Sequence, residues 1–291
     1  MRQTQTHYEI IVVDDGSNDG TKEILKTYTD ERLHTFYLPQ NSGPAHARNF
    51  AVSKSKGELL AFIDSDCTAS DIWLEELTSP FADDASILMT TGKVSDPPNS
   101  NYWEAVNKEP YFNQMSSGFV QRAIGCNMAI RRSFLDEHPF DEKIPIAAGE
   151  DTDLCFFCVK NGHKIFYNHK AQVVHYPRNT FKNSLSQYFY YGFYTSYVRL
   201  KHHENPFDGI KLPLAIMAFI ILSLIFRNIL IIKISIILIT IYLCAIFYMY
   251  IRIPGKTLAQ TLIYYPGFLL RSMSYSIGVI CFLLKRSLQK T

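Results

Sequence analysis

Charge of one sign is missing from this chain: 29 Lys and Arg against 27 Asp and Glu leave a formal +2 over 291 residues. A near balance gives no electrostatic footprint for nucleic acid, and no nucleic-acid partner is expected. Cysteine is sparse, with six residues scattered along the chain and two of them, Cys244 and Cys281, inside apolar stretches, which excludes a disulfide framework. Cys155 and Cys158 form a C-x-x-C within the helix-like pattern "TDLCFFCVKNG". No second pair and no nearby ligand histidine accompanies them, and helix packing is expected in place of zinc or redox chemistry. Repeats and low-complexity tracts are absent. The N-terminal "MRQTQTHYEIIVV" also lacks the apolar core of a signal peptide and runs straight into a strand, so the first portion is expected to stay in the cytosol.

Two kinds of pattern are present instead. From Tyr8 to about Tyr176, apolar strand-like runs ("YEIIVV", "LHTFYL", "ELLAFID") alternate with helical stretches ("GTKEILKTY", "GPAHARNFAVSKS"). Such alternation predicts an α/β domain with a largely parallel sheet. Composition changes sharply after His203: Leu212 to Ile251 is interrupted among charged or strongly polar residues only by Arg227, Asn228 and Lys233. As helix it would run about 60 Å, twice a bilayer core of about 30 Å. Two crossings are therefore expected, about 212–226 and 229–251, turning at Arg227 and Asn228. A third apolar stretch, about 258–284, carries Pro266 and a small, polar stripe of Gly267, Arg271, Ser274 and Gly278. It reads as a third crossing or an interfacial helix, the distribution of basic residues favouring the second.

The chemistry-bearing residues sit where strands end. "VVDDGSNDGT" places Asp14 and Asp15 before a turn and a helix, at the carboxyl end of a strand where open α/β sheets bind ligands. Turn and helix capping explains the same acids equally well. "LLAFIDSDC" drives an apolar run, suited to a strand covered on both faces, into Asp64 and Asp66. At period two both would point to one side of an extended segment, and hard oxygen ligands at that spacing suit Mg²⁺ or Mn²⁺ shared with a phosphate-bearing ligand.

Taken in order, "EIIVVDDGSNDGT", "NSGPAHARNFAVSKSKGELLAFIDSDC", "GCNMAIRRSFL", "GEDTDLCFFCVKNGHKI" and "VVHY" resemble the family 2 glycosyltransferases, inverting enzymes of the GT-A fold, over roughly residues 1–177. The resemblance implies a Rossmann-like nucleotide-diphospho-sugar transferase domain, here over 1–203 and followed by C-terminal transmembrane helices over 204–291. It also implies roles residue by residue. Asp14, Asp15, Arg48 and Asp64 would contact the nucleotide sugar. Asp64, Asp66 and His175 would hold the divalent cation. Asp151 would be the catalytic base, with Gly125, Asn127 and Glu150 on the acceptor side. Two departures stand out. Cys67 follows the D-x-D where many relatives have another acid, and the family's first strand, ending in a Pro, Tyr and Asn motif, has no counterpart, so an N-terminally incomplete domain is expected. The expected activity is transfer of a sugar from a nucleotide-sugar donor to a lipid-linked saccharide or cell-envelope polysaccharide, by a multi-pass protein of the cell membrane with its catalytic domain on the cytoplasmic side. A non-catalytic relative that binds nucleotide or scaffolds an envelope complex is the alternative.

Overall fold

The computed structural model describes residues 3–97, 101–107, 116–176, 180–207, 222, 225, 229–251 and 257–289. They fall into two compact units, Met1–Pro97 with Tyr111–Tyr176, and Pro98–Pro110 with Pro177–Thr291. The division comes at 176/177, ahead of the composition change after His203.

The first unit opens with β1 (Ile10–Asp14), α1 (Thr21–Leu25) and β2 (Leu33–Tyr37), the two strands pairing in parallel with Asp14 opposite Tyr37. Next come α2 (Pro44–Lys54), β3 (Leu59–Ile63), β4 (Cys67–Ala69), α3 (Trp73–Thr78), α4 (Pro80–Asp83) and β5 (Ile87–Ser95). Helix α5 (Tyr102–Asn107) belongs to the second unit. The first then resumes with β6 (Gly118–Val120), β7 (Asn127–Arg131), α6 (Arg132–Glu137), α7 (Glu150–Lys160) and β8 (Lys164–His175).

Strands β3 to β8 form a six-stranded sheet in the order β3-β7-β5-β8-β4, with β6 also on β8, while β1 and β2 pair as a separate two-stranded sheet. In the larger sheet β5–β8 is parallel and β3–β7, β5–β7, β4–β8 and β6–β8 are antiparallel. The sheet is therefore mixed, not largely parallel as the sequence pattern suggests. Periodicity decides whether a segment is helix or strand, but strand direction depends on which neighbour it meets in space.

Side-chain alternation splits the core into two layers. From β7, Met128 and Ile130 pack with Leu154, Cys155 and Cys158 of α7 and Phe134 of α6. The intervening Ala129 packs on the other face with Trp73, Leu77 and Phe81. Strand β3 divides likewise, Leu60 and Phe62 to the first layer, Leu59 and Ala61 to the second, as a run covered on both faces should. Each fully buried side chain of this size contributes about 1.5–3 kcal/mol of burial free energy. Cys155 and Cys158 are buried free thiols, each pushed up to about 12 by burial, a packing role for the C-x-x-C.

In the second unit, α8 (Phe181–Lys201), α9 (Ile229–Ile251) and α10 (Leu258–Leu288) are long helices. The expected crossing at 212–226 lies outside the described residues apart from Leu222 and Ile225; the expected 229–251 segment is α9. Thr257 starts α10 with a reciprocal capping box, its hydroxyl accepting from the Gln260 N–H and the Gln260 side chain from the Thr257 N–H. The helix continues through Pro266 to Leu288. At 31 residues it would run about 46 Å, and among the described residues it is the helix long and apolar enough to cross a membrane. Its expected small and polar stripe is its packing face. A Cβ on Gly278 would collide with the Phe189 carbonyl of α8, and one on Gly192 with the Tyr275 carbonyl of α10. Ser274 donates to the Leu185 carbonyl at 2.7 Å. Buried Arg271 donates to the Val106 carbonyl at 2.7 Å between the rings of Tyr188 and Phe268. Small residues let the backbones of α8 and α10 approach this closely.

Candidate active site

Every residue singled out from the sequence as catalytic, binding or metal-ligating lies in the first unit. Strand β1 delivers Asp14, buried, whose Oδ1 accepts from the Ser17 N–H at 3.0 Å. Asp15 Oδ1 accepts from the Ser42 N–H at 2.9 Å and Oδ2 from the Gly43 N–H at 2.8 Å. Asp15 thereby ties the end of β1 to the start of α2. Gly43 has φ 92°, and a Cβ there would overlap the Pro145 carbonyl. Pro44 follows at the first turn of the helix, where its missing N–H costs nothing. A carboxylate offers about four acceptor sites, so both aspartates keep capacity beyond these turn bonds.

After β3 the chain does not stay extended through the D-x-D. The Asp64 carbonyl accepts from the Cys67 N–H at 3.0 Å, closing a turn over Asp64–Cys67. The period-two argument therefore does not apply, and the two carboxylates take separate partners. Asp64 Oδ1 accepts from Arg48 Nη2 at 2.8 Å, and the other guanidinium arm, Nη1, donates to Glu150 Oε1 at 2.6 Å. Burial opposes the Arg48 charge, yet the facing carboxylates of Glu150 and Asp64 outweigh it and raise Arg48 above its usual range. Glu150, 4% exposed, also accepts from the Ala148 N–H at 2.9 Å; burial and the adjacent Asp151 charge push its carboxyl up.

Asp151 turns elsewhere. Its Oδ2 accepts from the Gly125 N–H at 3.0 Å and its Oδ1 from the Thr152 N–H at 2.6 Å, in the first turn of α7, where the helix dipole favours an acid. Gly125 stands between the two systems: a Cβ on it would lie 3.4 Å from Asp151 Oδ2 and 3.6 Å from Arg48 Nη2. Asp64, Arg48, Glu150, Gly125 and Asp151 thus form one contiguous cluster, although they come from four separate stretches of chain.

Asp66 faces His175, with Oδ2 3.5 Å from Nε2. Burial works against both charges, but the pairing outweighs it, lowering Asp66 and raising His175. Cys67 lies directly opposite His175 in the β4–β8 ladder, its Sγ 3.9 Å from Asp66 Oδ1. The ligand atoms of Asp66, Cys67 and His175 all lie within 4.8 Å of one another, close to the span that donors on one divalent ion reach at bonds of about 2.0–2.3 Å. Asp64 is outside this group. Cys126 contacts Cys67, a hydrogen bond that, with burial, raises its thiol.

Of the three residues expected on the acceptor side, Gly125 meets Asp151 and Glu150 meets Arg48. Asn127 is fully buried, its Nδ2 donating to the carbonyls of Lys93 and Ala171 at 3.0 Å each and its Oδ1 accepting from Trp73 Nε1 at 2.9 Å. Those three bonds join α3, β5, β7 and β8. Sequence reading passed over Cys67 as a potential donor because only the register of β4 on β8 sets it beside His175. A shallow depression lined by Phe119, Phe166, Asn168 and Lys170 shares no residue with these clusters.

The profile described as "Glycosyl transferase family 2" matches residues 1–138. The Bacillus subtilis protein named for teichuronic acid biosynthesis, TuaG, is 52% identical over 68 residues, 23% of this chain and 27% of that protein. The pre-mycofactocin glycosyltransferase of Mycobacterium tuberculosis is 28% identical over 230 residues, 74% of this chain and 47% of that protein. The chain thus spans less than half the length of either. Among solved structures, the Pyrobaculum calidifontis mannosyltransferase PcManGT, in complex with GDP-Man and Mn²⁺, superposes with a TM-score of 0.58 over 97% of this chain and 80% of that one, at 16% identity. The fold is GT-A, and residues 1–138 match the profile of the family 2 glycosyltransferases.

Proposed function

We propose that the protein is an inverting hexosyltransferase that moves a sugar from a nucleotide-sugar donor to a membrane-associated acceptor, a lipid-linked saccharide or a growing cell-envelope polysaccharide. The observation that carries this reading is the clustering of Asp151, Gly125, Arg48, Glu150 and Asp64 in one unit. In an in-line displacement the acceptor hydroxyl attacks the anomeric carbon as nucleoside diphosphate leaves from the opposite face. Asp151 takes the hydroxyl proton at its carboxylate. The Gly125 and Thr152 N–H groups hold that carboxylate in one orientation, so no reorganisation accompanies attack. Asp14 and Asp15 accept from the base and ribose with the lone pairs their turns leave unused. Arg48 carries a cationic charge into the nucleotide side, restrained by Asp64 and Glu150 so that it does not collapse onto a single acid.

Asp66 and His175 would hold a divalent cation, Mg²⁺ or Mn²⁺, and their oxygen and imidazole nitrogen suit such an ion. When bound, the cation offsets the charge growing on the departing diphosphate. The relative named for teichuronic acid biosynthesis supports the acceptor class, and α10 supports attachment to the cell membrane. We place residues 1–203 on the cytoplasmic side as the catalytic portion and 204–291 in a multi-pass membrane region.

The test is release of nucleoside diphosphate and transfer of labelled sugar to membrane lipid extract by the full chain, screened across nucleotide sugars. Asp151→Asn is expected to reduce transfer at least about a hundredfold, the usual contribution of a positioned base, with donor binding intact. Undiminished transfer would remove Asp151 from the mechanism.

A further inference from the structure

Strand register, not sequence spacing, brings a sulfur atom to the proposed cation site. Cys67 and His175 are direct cross-strand partners in the antiparallel β4–β8 pair. Directly opposed residues project to the same face with Cβ atoms about 4.5–5.5 Å apart. Asp66 reaches the same place from the preceding turn, and its backbone carbonyl fixes the end of that ladder by accepting from the Tyr176 N–H at 2.9 Å. Three chemically different donors result: a carboxylate oxygen 3.5 Å from the imidazole nitrogen, a thiol sulfur 3.9 Å from the other carboxylate oxygen, and all within 4.8 Å of one another. Donors on one ion with bonds of about 2.0–2.3 Å sit about 3–4 Å apart, so no large movement is needed for all three to bind one cation. Asp66 is half exposed and His175 partly so, which leaves a path for the ion and open coordination positions for a ligand.

We propose that Cys67 is the third protein ligand of this cation, making an oxygen, nitrogen and sulfur donor set that favours borderline metals, Zn²⁺ and Co²⁺, over Mg²⁺. On binding, the thiol gives its proton to solvent as the metal–sulfur bond forms, and no oxidation state changes. Magnesium is bound through oxygen in near-ideal octahedra and gains little from a thiolate, whereas sulfur selects softer ions. The inference rests on reading the Asp66–His175 region as the cation site, and it adds the ligand that sets which cation is held.

The experiment titrates the purified full chain with Co²⁺ alone, without nucleotide, and follows absorption, because a thiolate on cobalt gives a near-ultraviolet charge-transfer band that oxygen and nitrogen ligands do not. Wild type is expected to show the band. Cys67→Ser is expected to lose it and bind Co²⁺ at least about tenfold more weakly, the scale on which even ligand-supporting residues affect metal affinity. Cys126→Ser, which removes the neighbouring sulfur, is expected to keep the band, and Cys67→Asp to bind without it and to gain Mg²⁺ relative to Zn²⁺ in competition. Co²⁺ binding that needs His175 but shows no band, or a band that survives in Cys67→Ser, overturns the sulfur ligand and leaves the cation site standing. Failure of wild type to bind Co²⁺, or binding unaffected by His175→Ala, overturns both.

Discussion

Arg48→Ala tests whether the guanidinium is the cation that makes a buried carboxylate tolerable. Glu150 is 4% exposed and, once Arg48 is gone, keeps the Ala148 N–H as a donor but loses the charge that faced it. Removing one partner of such a pair leaves an uncompensated buried charge, at a cost of about 3–5 kcal/mol. Asp64, whose side chain is 38% exposed, can turn to water, and its share is below about 1 kcal/mol. The expected loss is therefore about 3–5 kcal/mol, a large part of a typical stability of about 5–15 kcal/mol. For a unit of this size it lowers the unfolding midpoint by about 6–20 °C. Glu150→Gln keeps an acceptor for Arg48 and costs only about 1–2 kcal/mol, the difference between a charged and a neutral hydrogen bond. The double variant lacks both charges and is expected to be more stable than Arg48→Ala alone. Thermal and denaturant unfolding of the full chain in detergent, followed by near-ultraviolet circular dichroism, supplies the four corners of the cycle. Additivity within about 0.5 kcal/mol would refute the coupling and with it the restrained-cation picture of Arg48.

Asn127→Asp replaces an amide that donates to two carbonyls with a carboxylate facing them; it is expected to cost at least about 3 kcal/mol, whereas a purely acceptor-binding Asn127 would raise only the acceptor KM. Gly278→Val places a branched side chain against the Phe189 carbonyl, and is expected to lower the detergent unfolding midpoint while Gly118→Val, with open space around it, does not. Asp84 accepts from Lys164 Nζ at 2.8 Å and from Ser86, and Lys164 is the main reason its carboxyl is held down to about 2. A folded pKa below the unfolded value of about 3.9 stabilises at higher pH and is lost as pH falls through about 2. Asp84→Asn should accordingly lower the unfolding midpoint at pH 6 and have little effect near pH 2; an equal effect at both pH values would contradict the pairing.

Local chemistry determined a good deal from the sequence alone. The apolar run before Asp64 became a strand with both faces covered, because side chains alternate along extended backbone whatever surrounds them. The stripe of Gly267, Arg271, Ser274 and Gly278 became the packing face of α10, because helical periodicity depends only on spacing. The C-x-x-C proved to be two buried thiols on α7 for the same reason. Long-range placement was decided only by the tertiary structure. Whether strands run parallel or antiparallel depends on partners far away in the chain, and the mixed sheet was not legible in any single segment. A turn that closes with the Cys67 N–H sent Asp64 to Arg48 and Asp66 to His175, so two acids separated by one residue serve different clusters. Asn127, indistinguishable in sequence from an exposed polar residue, became a buried tie between strands. Cys67 met a histidine more than a hundred positions away because two strands happen to be in register. Residue type and spacing select which chemistry a chain can perform, but the distances at which that chemistry operates arise from contacts that neighbouring residues do not encode.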